Sequence, residues 1–131
     1  MIRDMDFIRE LLEDISKGKD NFSLNFSYEE DNPLEDPANN TDKKTIYHLD
    51  LMKEANLITW TGRHCYFDST QCYYNVQLTW EGHDYYDVVR NNTVWNKVKN
   101  HLESYHLRIE EVSFEIIKGI ANQKLKEWLG L

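Results

Sequence analysis

Positive charge is scarce in this chain. Against 23 Asp and Glu stand 15 Lys and Arg, for a formal net charge of −8 at pH 7. Nucleic-acid binders draw much of their affinity from neutralising phosphates and usually show a basic stripe. None is evident here, and residues 1–60 carry 7 Lys and Arg against 14 Asp and Glu. Cysteine is scarcer still. Cys65 and Cys72 are too few for a disulfide framework, and no C-x-x-C pair seeds a structural zinc site. No apolar run approaches the roughly 20 residues of a membrane span, and the charged start MIRDMDFIRE has no signal-peptide core. The expectation is a cytoplasmic protein, bacterial or phage-borne. There is no Gly-rich phosphate loop and no internal repeat.

What is present is a soluble composition with a high aromatic share, 13%. At 131 residues the chain is expected to be one domain, with residues 79–131 a helical extension on the same core. Asp4 can cap a first helix whose Met5, Ile8, Leu11, Leu12 and Ile15 share a face, with Gly18 as its stop. Phe22 to Phe26 alternates apolar and polar, as a short strand does. Tyr28 to Asn40 is acidic, contains Pro33 and Pro37, and reads as a loop. Thr41 or Asp42 then caps a helix with Ile46, Leu49 and Met52 facing the core. Asn56 suits the left-handed position that ends a helix.

A hairpin is expected next. Leu57 to Thr61 pairs with Tyr73 to Thr79, around a loop from Gly62 to Gln71. In the second strand Tyr74, Val76 and Leu78 fall on one face, and Tyr73, Asn75, Gln77 and Thr79 on the other. Thr79 caps a helix to about Arg90, and Asn92 or Thr93 starts another with Val94, Trp95, Val98 and Leu102 as its stripe. Ser113 caps the last helix. Its core side is Ile116, Ile117, Ile120, Ala121, Leu125 and Trp128 or Leu129, with Trp80 and Trp95 as further core anchors. The fold class read from this order is α+β, mainly α. It is a winged helix-turn-helix-like domain with a two-stranded wing, a reduced or missing second helix, and added C-terminal helices.

Four segments carry a resemblance: RDMDFIRELL (Arg3 to Leu12), IYHLDLMKEANLI (Ile46 to Ile58), LTWEGHDYYDVVRNNTVWNKVK (Leu78 to Lys99) and the closing amphipathic helix. Together they resemble the DUF2513 family of bacterial and prophage proteins over nearly the whole chain. The third segment is the most specific. The family's usual form has Gly at the place of Asn56, and the acidic Tyr28–Asp42 insert departs from it. The resemblance implies a fold and a genomic habitat and supplies no mechanism. The phrase LT-x-x-G also follows the wing in several families of winged-helix regulators, an analogy at the level of fold.

Lys43, Lys44, Tyr47 and His48 lie at the front of the expected recognition helix, where such helices read bases and hold phosphates. Arg63 and His64 on the wing can reach the backbone of double-stranded DNA. Against this, the helix carries Lys43, Lys44 and Lys53 beside Asp42, Asp50 and Glu54, which balance. Trp60, Tyr66 and Tyr73, with Tyr74, give the hairpin an aromatic skin closer to a protein interface than to a phosphate-binding surface. The bland alternative is that they pack on one another. His64, Cys65, Cys72 and His83 make a poor zinc set at this spacing, though the two cysteines can face each other across the wing. His83, Asp87 and Arg90 share a helix face, but no nucleophile accompanies them. The acidic residues from Glu29 to Asp42 can shield a nucleic-acid face or address a basic partner. The expected role is a non-enzymatic regulator or adaptor of mobile-element origin, needing no cofactor or metal and acting through DNA or protein. The alternative is an interaction module or acidic inhibitor of a host protein that has no DNA role. A homodimer through the C-terminal helices is compatible with either.

Overall fold

The computed structural model describes residues 1–25 and 37–131, of which 37–40 are described by backbone alone. The fold is α+β with helix predominant. Helix α1 (Met5–Ser16) is capped by Asp4, whose carboxylate accepts from the Phe7 amide, and it buries Met5, Ile8, Leu11, Leu12 and Ile15. Gly18 takes φ +107° just past its end, a conformation open to glycine. Strand β1 (Phe22–Asn25) follows, with Phe22 and Leu24 inward.

Helix α2 (Pro37–Glu54) begins four residues before the expected Thr41 cap. Residues 37–40 are therefore helical, which corrects their reading as loop. Proline is a favoured first helical residue, because its fixed φ suits the turn and its missing N–H has no partner there anyway. The rest of the expected acidic loop, 28–36, lies outside the described residues. Ile46, Leu49 and Met52 are buried as expected. Asn56 ends the helix at φ 61°, while the Leu57 amide reaches back to the Met52 carbonyl.

The wing is larger than a two-stranded hairpin. Strands β2 (Ile58–Thr59) and β5 (Gln77–Leu78) pair antiparallel at its base. Strands β3 (Gly62–Cys65) and β4 (Thr70–Tyr74) pair beyond them, and β1 joins the far edge of β4 to give the order β1-β4-β3. Most of the expected loop from Gly62 to Gln71 is thus strand. The turn is confined to Tyr66–Ser69, closed by Tyr66 and Ser69 amide bonds to the carbonyls of Thr70 and Tyr66, with Ser69 at φ 65°. A first strand paired to the second strand of a hairpin, with α2 leading into that hairpin, is consistent with a winged-helix-like unit.

Asn75 breaks the expected alternation. Its φ of 55° inserts one residue between β4 and β5, so Tyr73 and Val76 both face inward and Tyr74 faces out. Thr79 caps helix α3 (Trp80–Val89), accepting from the Gly82 amide. Asn91, one residue before the expected start, caps helix α4 (Asn92–Glu103), which buries Val94, Trp95, Val98 and Leu102. A 3₁₀ turn at Ile109–Glu111 leads to helix α5 (Phe114–Leu129), capped by Ser113.

The core lies between α1, α2, the sheet and α3 to α5. Two arginines, Arg3 just before α1 and Arg9 within it, tie it together. Arg3 donates to the Glu110 and Val112 carbonyls, and Arg9 to the Val89 and Arg90 carbonyls at the end of α3. Of the expected aromatic anchors only Trp95 is buried. Trp80 is 80% exposed and Trp128 49%, and Ile116 and Leu129 also face solvent. Trp80 is the first residue of α3, whose inner face is already filled by Gly82, Tyr85, Tyr86 and Val89.

Candidate functional site

The expected DNA-contacting set does not assemble into an open basic face. His48 is fully buried. Its Nε2 accepts from the Asp4 amide at 2.8 Å, so Nδ1 carries the proton and donates to the Lys44 carbonyl at 2.7 Å. Burial lowers its pKa, opposed by that carbonyl, and the neutral ring braces the start of α1 against α2. Lys44 pairs with Asp4 at 2.8 Å and lies over the Phe7 ring. Burial pushes the Asp4 carboxyl up, but the hydrogen bonds from Lys44 and the Phe7 amide outweigh it and hold the group below its usual range. Tyr47 stands edge-on to His48. Lys43 is half-buried.

Arg63 is turned back onto its own fold. It donates to Asp50 at 2.8 Å and to Gln71 at 2.7 Å, and its guanidinium lies over the Tyr73 ring. Tyr73, expected at an interface, is fully buried, which removes it from any contact surface. Its hydroxyl donates to Asp50 at 3.2 Å, and burial raises its pKa well above the usual phenol value. Trp60, also assigned to an interface, is half-buried with its ring edge-on to Tyr73 at 5.0 Å.

The register places Cys72 opposite His64 and Cys65 opposite Gln71. Side chains alternate along a strand, so the two cysteines lie on opposite faces of the sheet and do not meet. Both thiols are free. The zinc set that its spacing already disfavoured is also split, with His83 exposed on α3. His83 and Asp87 are exposed on one helix and Arg90 sits over the Tyr86 ring, with no nucleophile described beside them. The carboxylates of Asp4, Asp6 and Glu110 converge within 4.8 Å. Lys44 already pairs with Asp4, and Lys99 and the Trp95 indole N–H engage Asp6, so these groups balance the cluster locally.

On the wing, the outer face and the tip stand open. Tyr66 is 45% exposed and its hydroxyl lies 3.1 Å from that of Tyr74, itself 40% exposed. His64 packs edge-on to Tyr66 at 4.3 Å. At the tip, Phe67 has no cover at all. The sequence reading named Tyr66 and Tyr74 but missed Phe67. The signal available was F-D-S in the middle of a hairpin: Asp68 accepts from the Thr70 amide and Ser69 takes the left-handed position, which leaves Phe67 at the crest.

Comparison with known proteins places this geometry in a family. The chain is 32% identical over 98 residues to a protein of Haemophilus influenzae (strain ATCC 51907 / DSM 11121 / KW20 / Rd) called "Uncharacterized protein", covering 73% of this chain and 78% of that one. No solved structure matches it. The family model described as "Hypothetical protein (DUF2513)" matches residues 2–108, from before α1 to beyond α4, and the chain belongs to that family.

Proposed function

We propose that this protein is a non-enzymatic, winged-helix-like binding module that works as a regulator or adaptor through protein contacts made by its wing. The observation that carries the reading is Phe67, a fully exposed aromatic at the hairpin crest above the Tyr66–Tyr74 pair. Leaving a large apolar ring in water is unfavourable, and rigid aromatic anchors of this kind dominate the energetics of protein interfaces. The state of the cations supports the same choice between DNA and protein. Lys44 and Arg63 are held by Asp4 and Asp50, and His48 is buried and neutral, so the face expected to meet phosphate offers little field. An apolar wedge on a hairpin can also enter a DNA minor groove. That reading requires basic neighbours, and the residues flanking Phe67 are Tyr66 and Asp68.

The test is a titration of labelled duplex DNA at low and at physiological salt. The expected result is no saturable complex at about 150 mM salt, where specific readers bind at roughly 10⁻⁸ M or tighter. A tight complex that weakens steeply with salt, and that Arg63→Glu or Lys43→Glu with Lys44→Glu abolishes, would overturn the reading in favour of DNA.

A further inference from the structure

On the side of the sheet away from Tyr66 and Tyr74, a cleft of about 230 Å³ lies between α1, β1 and the start of α2. Its floor is apolar, made by Phe7 and Leu11 of α1 with Phe22 and Leu24 of β1. Its rim is acidic. Glu10 and Asp14 stand exposed on α1, one helical turn apart, and Asp42 lies on the α2 wall, accepting from the Asn25 amide. Like charges at i, i+4 repel, and among the described residues no Lys, Arg or His forms a salt bridge to Glu10, Asp14 or Asp42. Against these three carboxylates the described lining holds one cation, Lys19, set over the Phe22 ring at 4.6 Å. The cleft is therefore short of positive charge.

We propose that this cleft docks a basic, arginine-bearing peptide segment of a partner protein, as a second contact surface that does not depend on the wing. The methylene stem of an arginine lies along the apolar floor, and its guanidinium sits between Glu10 and Asp14. Two neighbouring carboxylates suit the fork of donors on arginine better than the point charge of lysine. At about 230 Å³ the cleft is smaller than the roughly 300–1,000 Å³ of sites for drug-sized ligands, so it suits a side chain or two. Charge decides among the other occupants. Residues 26–36 of the chain itself carry five Asp and Glu and no Lys or Arg, so they cannot supply the cation. A second copy arrives with the same −8 and a nucleic acid with its phosphates, and both are repelled. A basic segment is drawn in by the same field.

The test is an NMR titration of the full chain with an acetylated, amidated peptide of three Arg-Leu repeats, at about 150 mM salt to screen non-specific attraction. Saturable shifts are expected at the amides of Leu11, Phe22, Leu24 and Thr45. Glu10→Gln with Asp14→Asn should raise the peptide Kd at least about fivefold. Both side chains are exposed, so the variant should melt as wild type does. Glu81→Gln with Asp87→Asn removes the same charge from the exposed face of α3 and should leave the Kd within about twofold, which separates the cleft from net charge. A peptide of Glu-Leu repeats should not bind. The proposal is overturned by shifts that fail to saturate below about 1 mM or that centre on the wing. It is overturned equally by the same weakening in both variants, or by binding of the acidic peptide. Shifts at these amides that grow with protein concentration alone would place a second copy in the cleft and also overturn it. None of these outcomes bears on the wing, whose reading the DNA titration tests.

Discussion

His48 commits both ring nitrogens to backbone groups, and its loss is expected to be read most clearly through pH. Its folded pKa lies below that of the unfolded chain because burial disfavours the charged ring. The neutral form therefore stabilises the fold in full above about pH 6.5, the unfolded value, and that contribution is lost as pH falls through the folded value. His48→Leu leaves the Asp4 amide without its acceptor, at a cost of about 1–3 kcal/mol near neutral pH. Urea melts of both proteins from about pH 7.5 downward should show this gap closing as His48 protonates. A gap independent of pH would contradict the role given to the ring. The tryptophans give a second contrast. Trp95 is buried, donates to Asp6 and lies under Arg9 and Lys99, so Trp95→Ala should cost about 3–5 kcal/mol. Trp80→Ala should stay within about 0.5 kcal/mol of wild type in the same melts, because its ring touches mainly water. Both are tryptophans in one segment, and sequence did not separate them. Burial of a residue at a helix start depends on which neighbours fill the inner face, and no local pattern reports that.

The junction where α2 stops, the wing begins and α3 starts is one connected piece. The Leu57 carbonyl accepts from the Thr79 amide, and the Thr79 hydroxyl donates to the Asn56 carbonyl while capping α3. Gly82 lies against that same Leu57 carbonyl, and a Cβ there would sit 1.9 Å from its oxygen. This gives the phrase LT-x-x-G a physical meaning: the threonine caps, and the glycine lets the helix close onto the end of the previous one. Gly82→Ala should destabilise by at least about 2 kcal/mol in a thermal or urea melt, since backbone must move to admit the methyl group. Near-wild-type stability would show the contact to be looser than described. Features of this kind were legible. Asp4, Asn56, Thr79 and Ser113 hold the roles their residue types suggest, because capping is local chemistry. Pro37 was misread because proline serves both a loop and a first helical turn. Tyr73 was misplaced because a single left-handed Asn75 shifts the strand by one residue, which strict alternation does not foresee. The third strand of the sheet depends on pairing between β1 and β4, some 50 positions apart in sequence, and pairing at that distance leaves no local trace.

At the scale of the whole molecule, the fold and the contact surface have separated. A helix leading into a hairpin, an arrangement consistent with a winged helix, is present, yet Lys44 and Arg63 are paired with Asp4 and Asp50, and His48 is buried against the Asp4 amide. The scarcity of positive charge pointed this way, but the ion pairs that hold Lys44 and Arg63 join residues 40 and 13 positions apart and were hidden from the sequence. The wing surface left open is aromatic, at Tyr66, Phe67 and Tyr74. The most direct test of that account is quantitative capture of one identified protein partner by immobilised wild type, Phe67→Ser, and Lys43→Glu with Lys44→Glu. The account predicts that Phe67→Ser weakens capture at least about tenfold, as loss of an interface anchor does, while the double lysine variant holds its partner. Undiminished capture by Phe67→Ser, with loss confined to the lysine variant, would contradict it.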